Sequence, residues 1–146
     1  MTGWRLGWIT GPKHLMDGVK KINVSAATHV ATFMMPAATV ALSLEEETAA
    51  MAASFKERCD LIHGLLSELP GVVVPKPEGA FYAFCDITGT GMTDIEFAEG
   101  ALKEAKVQLI PGSLIEGGEG FIRISYATSP DNIREGVRRL SEWLDA

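Results

Sequence analysis

The chain has 146 residues, 47% of them apolar, and a formal charge of −6 at pH 7. That size supports one core of moderate dimensions, and the acidic balance leaves no basic surface of the kind that binds nucleic acid or anionic membranes. No stretch approaches the roughly 20 apolar residues of a membrane span, and the N-terminus has no basic segment leading into a long apolar one, so a cytoplasmic protein acting on small molecules and other chains is expected.

Trp4 to Thr10 alternates large apolar residues with small or polar ones and stops at Gly11-Pro12, a pattern that predicts a strand and a turn. From Pro12 to Val24, Leu15, Met16, Val19 and Ile22 recur at helical spacing, with Pro12 suited to a first helical turn. Ala26 to Leu44 carries no charge, which predicts a helix packed on all sides and interrupted near Pro36. Ser43 and Glu46 form a capping-box pattern, and helix-forming residues then run to Leu69 before Pro70-Gly71. On that long helix Met51, Phe55, Cys59, Ile62, Leu66 and Leu69 make a single apolar stripe, so Cys59 reads as core; Glu45 to Glu47 read as a solvated first turn that complements the helix dipole.

After Gly71 the pattern turns to short β-rich runs at Val72 to Val74, Ala80 to Ile87, Val107 to Ile110 and Phe121 to Tyr126. Thr93 with Glu96 makes a second capping box, and Ser129-Pro130 opens a last helix carrying Ile133, Val137, Leu140 and Leu144. Pro111-Gly112-Ser113 and the glycine-rich Glu116 to Gly120 read as mobile loops and match no phosphate-binding glycine motif. The organisation expected is an N-terminal piece over 1–43, a long helix over 44–70 and a self-contained α+β domain over 71–146.

Cys59 and Cys85 stand far apart and outside any Cys-x-x-Cys spacing, and His14, His29 and His63 lack helical pairing, so neither a disulfide framework nor a metal site is expected. Two arginines are better candidates for chemistry. Arg5 sits between Trp4 and Leu6 in a segment expected to be buried, where a guanidinium needs an anion to offset its desolvation. Arg123 lies in Phe121-Ile122-Arg123-Ile124-Ser125-Tyr126, where period-two alternation puts Phe121, Arg123 and Ser125 on one face and the other three residues on the opposite one. Its fork matches a carboxylate bidentately, either that of a ligand or that of an internal salt bridge. Pro77-Glu78-Gly79-Ala80-Phe81-Tyr82 opens a strand with room beside the backbone.

Three ordered segments, Met1 to Trp8, Pro77 to Tyr82, and Ile110 to Ser113 followed by Arg123 to Ala127, resemble the fold type I pyridoxal-phosphate-dependent aminotransferases, in the branch containing bacterial aspartate aminotransferases. The resemblance runs almost end to end. It implies an α/β fold in which a remnant of the large cofactor-binding domain and a long interdomain helix precede a small C-terminal α+β domain, a small mixed sheet with helices on one face. It further implies that Arg5 binds the phosphate of pyridoxal phosphate, that Arg123 holds the α-carboxylate of an amino-acid or 2-oxo-acid substrate, and that the protein is a homodimer. In the family the lysine that forms the Schiff base shortly precedes the Thr-Gly-Trp-Arg motif, so here it would fall before Met1, and no residue of this chain is assigned the catalytic role. Where the family usually has Phe-Gly after the Pro-Gly-Ser turn, this chain has Leu114-Ile115-Glu116, which leaves the substrate side chain open. The alternatives are an aminotransferase-like ligand-binding or interaction module of a regulator, or a related lyase of the same fold.

Overall fold

The computed structural model describes residues 2–146, so Met1 of the first motif lies outside the described residues. The chain divides into two compact units, residues 1–49 and 50–146.

In the first unit, helices α1 (Lys13–Ala26) and α2 (Met34–Ala41) are joined by a turn. The expected strand over Trp4 to Thr10 is not formed: a 3-10 turn covers Thr2–Trp4, Arg5 adopts a left-handed φ of 55°, and no strand neighbours Leu6 to Thr10 among the described residues. Alternation marks a segment able to pleat, but a strand exists only through its ladder partners. Pro36 does not interrupt a helix; it is the third residue of α2, in the first turn, where backbone N–H groups have no intrahelical acceptor. The segment is not packed on all sides either. Neither helix has a buried residue, and Phe33, Val40 and Leu42 are all exposed. The Ser43–Glu46 capping box is likewise absent. The Ser43 hydroxyl donates back to the Val40 carbonyl at 2.7 Å, closing the turn after α2 instead of capping the next helix.

The second unit is built around the C-terminal part of α3 (Glu45–Leu66) and an antiparallel sheet. The stripe on α3 enters the core through Cys59, Ile62 and Leu66, followed by Leu69 in the turn beyond; Phe55 is half-buried and Met51, one turn earlier, is exposed. Strands β1 (Tyr82–Asp86), β2 (Ile110–Pro111) and β3 (Phe121–Ser125) lie in the order β1-β3-β2. Both pairings are antiparallel, so the sheet is not mixed. Val73 contributes only an isolated bridge to Asp86, and the expected strand over Val107 to Ile110 is reduced to β2, which begins where that run ends.

Period two sets the two faces of the sheet. Ala83, Cys85, Ile87, Ile122, Ile124 and Tyr126 are buried under the helices, and burying each large side chain of this kind contributes about 1.5–3 kcal/mol. Helix α4 (Asp94–Gly100) starts with both reciprocal bonds of the Thr93–Glu96 capping box and continues into a π-helical turn, Ala101–Ala105, that ends at Lys106 with φ 58°. Helix α5 (Pro130–Leu144) is capped by the Ser129 hydroxyl, which accepts from Asn132 N–H, and inserts Ile133, Val137 and Leu140 into the core.

Candidate functional site

The helices cover one face of the sheet, and the opposite face carries Tyr82 and Phe84 from β1, Phe121, Arg123 and Ser125 from β3, and Ile110 from β2. The register places Arg123 directly between Phe84 on one side and Ile110 on the other. Phe84 and Phe121 are stacked, with ring centroids 4.9 Å apart and planes 6° from parallel. Tyr82 lies under the guanidinium, whose central carbon is 4.5 Å from the ring centroid.

Arg123 is half-buried in this apolar frame, and its Nε is buried with no hydrogen-bond partner. The ion pairs of the described residues do not include it. The internal salt bridge left open by the sequence is therefore not what this arginine makes. A partly desolvated cation that the chain does not neutralise can pair with an anion from outside it. The flanking rings and Ile110 lower the local dielectric and strengthen any such pairing.

The lysines of the second unit offer no comparable site. A groove of about 420 Å³ between α3 and the segment 76–80 contains Lys56 and Lys76, but both are bonded to Asp60, at 3.1 and 2.6 Å. The turn that leads into β1 also differs from expectation. Pro77 to Phe81 is not strand, and Ala80 takes a left-handed φ of 57° pinned by the Tyr126 hydroxyl, which donates to the Ala80 carbonyl at 3.1 Å.

The connection from β2 to β3 delivers Arg123 to its place, and it is tied down where mobile loops were expected. Asp94, a buried carboxylate at the start of α4, accepts from Ser113 N–H at 2.7 Å. Hydrogen bonds from Ser113, side chain first and backbone second, hold its carboxyl below the usual aspartate range. Within the loop Ile115 N–H donates to Gly112 and Gly118 N–H to Ile115, at 2.7 and 3.0 Å. Gly112 and Gly118 pass so closely that a β-carbon on Gly112 would collide with the Gly118 carbonyl oxygen. Neither Asp94 nor Tyr82 is singled out by sequence pattern. Asp94 follows the capping threonine like any first-turn acid, and the contact of Tyr82 with Arg123 exists only once the strands are paired.

Arg5 belongs to the first unit and is exposed, contrary to the burial expected of it. The apolar residues beside it, Trp4 and Trp8, are exposed as well, so no apolar core surrounds the guanidinium. Cys59 and Cys85 are both free and buried, and burial pushes the Cys85 thiol up to about 12. No group of three or more metal-ligating side chains occurs among the described residues, and no helix among them is long and apolar enough to cross a membrane.

The second unit is a small α/β unit that presents an arginine, outside the ion pairs of the described residues, on the open face of an antiparallel sheet. Comparison with known proteins identifies its kind. The family model for aminotransferase class I and II matches residues 1–140, and the chain belongs to that family. It is 38% identical over 149 residues to an aspartate aminotransferase of Pyrococcus horikoshii, a match covering 99% of this chain and 38% of that protein. It is also 38% identical over 148 residues to aromatic-amino-acid aminotransferase 2 of Thermococcus litoralis, again covering 99% of this chain and 38% of the relative. Among solved structures, an aromatic aminotransferase from Pyrococcus horikoshii superposes with a TM-score of 0.89 at 38% identity, over 99% of this chain and 40% of that one. The aspartate aminotransferase of Rhizobium meliloti gives 0.89 at 32% identity, over 99% and 39%. The α/β fold expected from the resemblance is thus the observed one, and the chain spans 38% of the length of these curated relatives.

Proposed function

We propose that this chain is the C-terminal part of a pyridoxal-phosphate-dependent enzyme that transfers an amino group between an amino acid and a 2-oxo acid, and that Arg123 binds the substrate α-carboxylate. The observation that carries this reading is the state of Arg123: half-buried on the open face of the sheet and outside the ion pairs of the described residues, at the position where the family resemblance expects a carboxylate receptor. Both substrate classes present the same α-carboxylate, so one arginine serves both half-reactions.

Arg5 is the candidate for the cofactor phosphate. Its exposed guanidinium is not among the ion pairs of the described residues, so this donor fits a phosphate. When bound, the cofactor supplies an electron sink for the transfer. What this chain supplies is orientation. Arg123 fixes the substrate by a planar two-point contact, and its apolar surroundings keep water from competing for the carboxylate.

The chain presents no lysine ahead of Arg5, and Lys13, Lys20 and Lys21 all follow the motif. By itself it is therefore expected to bind pyridoxal phosphate weakly and to catalyse no transamination. Titration with pyridoxal phosphate, borohydride reduction, mapping of modified lysines, and assays with aspartate, glutamate and an aromatic amino acid test this. Stoichiometric labelling of one lysine together with Arg5-dependent turnover would overthrow it.

The exposed Phe33, Met35, Val40 and Leu42 of the first unit favour association into at least a dimer, and the full protein is proposed to be a cytoplasmic homodimer. Sedimentation showing only monomer at high concentration would count against association of this chain.

A further inference from the structure

We propose that Tyr82 is the positioning residue of the carboxylate site: its ring is a platform that holds the Arg123 guanidinium in one plane and closes off Nε, so that the carboxylate is met end-on by the two Nη groups. The inference rests on the reading of Arg123 as the carboxylate receptor and specifies the geometry of that recognition.

Three observations carry it. The Tyr82 ring centroid lies 4.5 Å from the central guanidinium carbon, within cation–π range. Nε is shut off from solvent and bonded to nothing, so an incoming anion cannot reach it without dismantling the packing. The remaining donors, on the two Nη atoms, form the parallel fork that matches a carboxylate. The strand register explains why Tyr82 and not another ring takes this place. Tyr82 is paired with Ser125 and Phe84 with Arg123, so Tyr82 sits diagonally across from the arginine on the same face, a distance a long side chain spans by lying over the ring. Phe84, directly opposite, is instead stacked on Phe121.

A flexible arginine loses rotamer freedom when it binds, and one already held flat loses less. Tyr82 therefore acts on affinity through pre-organisation and touches no substrate atom. Its hydroxyl is not needed for this, which separates the platform from a hydrogen-bonding role.

The test uses the full 146-residue chain with 15N-labelled arginine, acetate as the probe anion and acetamide as the uncharged control. In the wild type the Arg123 Nε–Hε resonance should be displaced by the ring current, exchange slowly with water, and remain so when acetate shifts the Nη signals. Tyr82→Phe should keep the displaced resonance and the acetate affinity. Tyr82→Leu should lose the displacement, speed exchange with water and bind acetate about three- to fivefold more weakly. Should Tyr82→Leu fail to fold, Tyr82→Trp gives the complementary readout: a larger ring should increase the displacement and bind acetate at least as tightly. An unchanged Arg123 resonance and acetate affinity in Tyr82→Leu, or a loss of both in Tyr82→Phe or Tyr82→Trp, overturns the platform while leaving Arg123-dependent binding intact. If acetate perturbs Arg123 in no variant, the carboxylate reading fails, and the ligand-free ring-current shift and exchange rate still decide the platform.

Discussion

Replacing Asp94 by Ala removes the acceptor that ties the β2–β3 connection to the start of α4. A hydrogen bond to a charged group contributes about 1.5–3 kcal/mol when both partners are desolvated. Asp94 is buried but Ser113 is exposed, so water can recover part of the loss at the freed N–H, and a cost of about 1–2 kcal/mol is expected. For a unit of this size that corresponds to a fall in Tm of roughly 5–10 °C. Asp94→Asn keeps an acceptor and loses the charge, and should cost about half as much. The linkage has a definite sign. Ser113 lowers the folded-state pKa of Asp94, so the contribution is complete above the ordinary aspartate value of about 3.9 and is lost as pH falls from there through the lowered value. Thermal unfolding of the three proteins at pH 7 and near pH 3, with amide exchange over residues 112–120, measures both effects. Equal Tm and equal loop protection in wild type and Asp94→Ala at pH 7 would refute the clamp, as would a difference that grows on acidification.

Three further expectations concern the second unit. Leu66 is fully buried and Met51 exposed on the same helix, so Leu66→Ala should cost about 3–5 kcal/mol by denaturant unfolding and Met51→Ala less than about 0.5 kcal/mol. Because α3 supplies Cys59, Ile62 and Leu66 to the core, a fragment over 50–146 should show a cooperative transition, and comparison with 71–146 decides where the self-contained piece begins. Lys106 ends the π-helical turn with a left-handed backbone, a conformation glycine adopts without strain; Lys106→Gly should raise stability by about 0.5–1 kcal/mol, offset in part by loss of the lysine bond to the Lys103 carbonyl. A lowered midpoint in that variant would show that the lysine contact outweighs the strain.

What could be read in advance divides by the range of the interaction. The Thr93–Glu96 capping box and the Ser129-Pro130 helix start were legible because each is completed within three residues. The open face of β3 was legible because pleating alone alternates Arg123 with Ile122 and Ile124. Trp4 to Thr10 has the alternation of a strand without a ladder partner, and the uncharged run to Leu44 has the composition of a buried helix in a unit with no core around it; neither failure is visible in a local window. The loop clamp joins residues 19 apart, and the Tyr82–Arg123 stack joins two strands, so both depend on the finished sheet.

The proposed role of Arg123 as a substrate-carboxylate receptor is tested most directly by steady-state kinetics on a hybrid in which the preceding portion of the Pyrococcus horikoshii aspartate aminotransferase is fused to this chain. An active hybrid is expected, in which Arg123→Ala lowers kcat/KM by on the order of 100-fold or more for every amino acid that is turned over, since each presents the same α-carboxylate and loses a charge-assisted two-point contact. Unchanged kcat/KM in Arg123→Ala, or a loss confined to substrates with an acidic side chain, would contradict it.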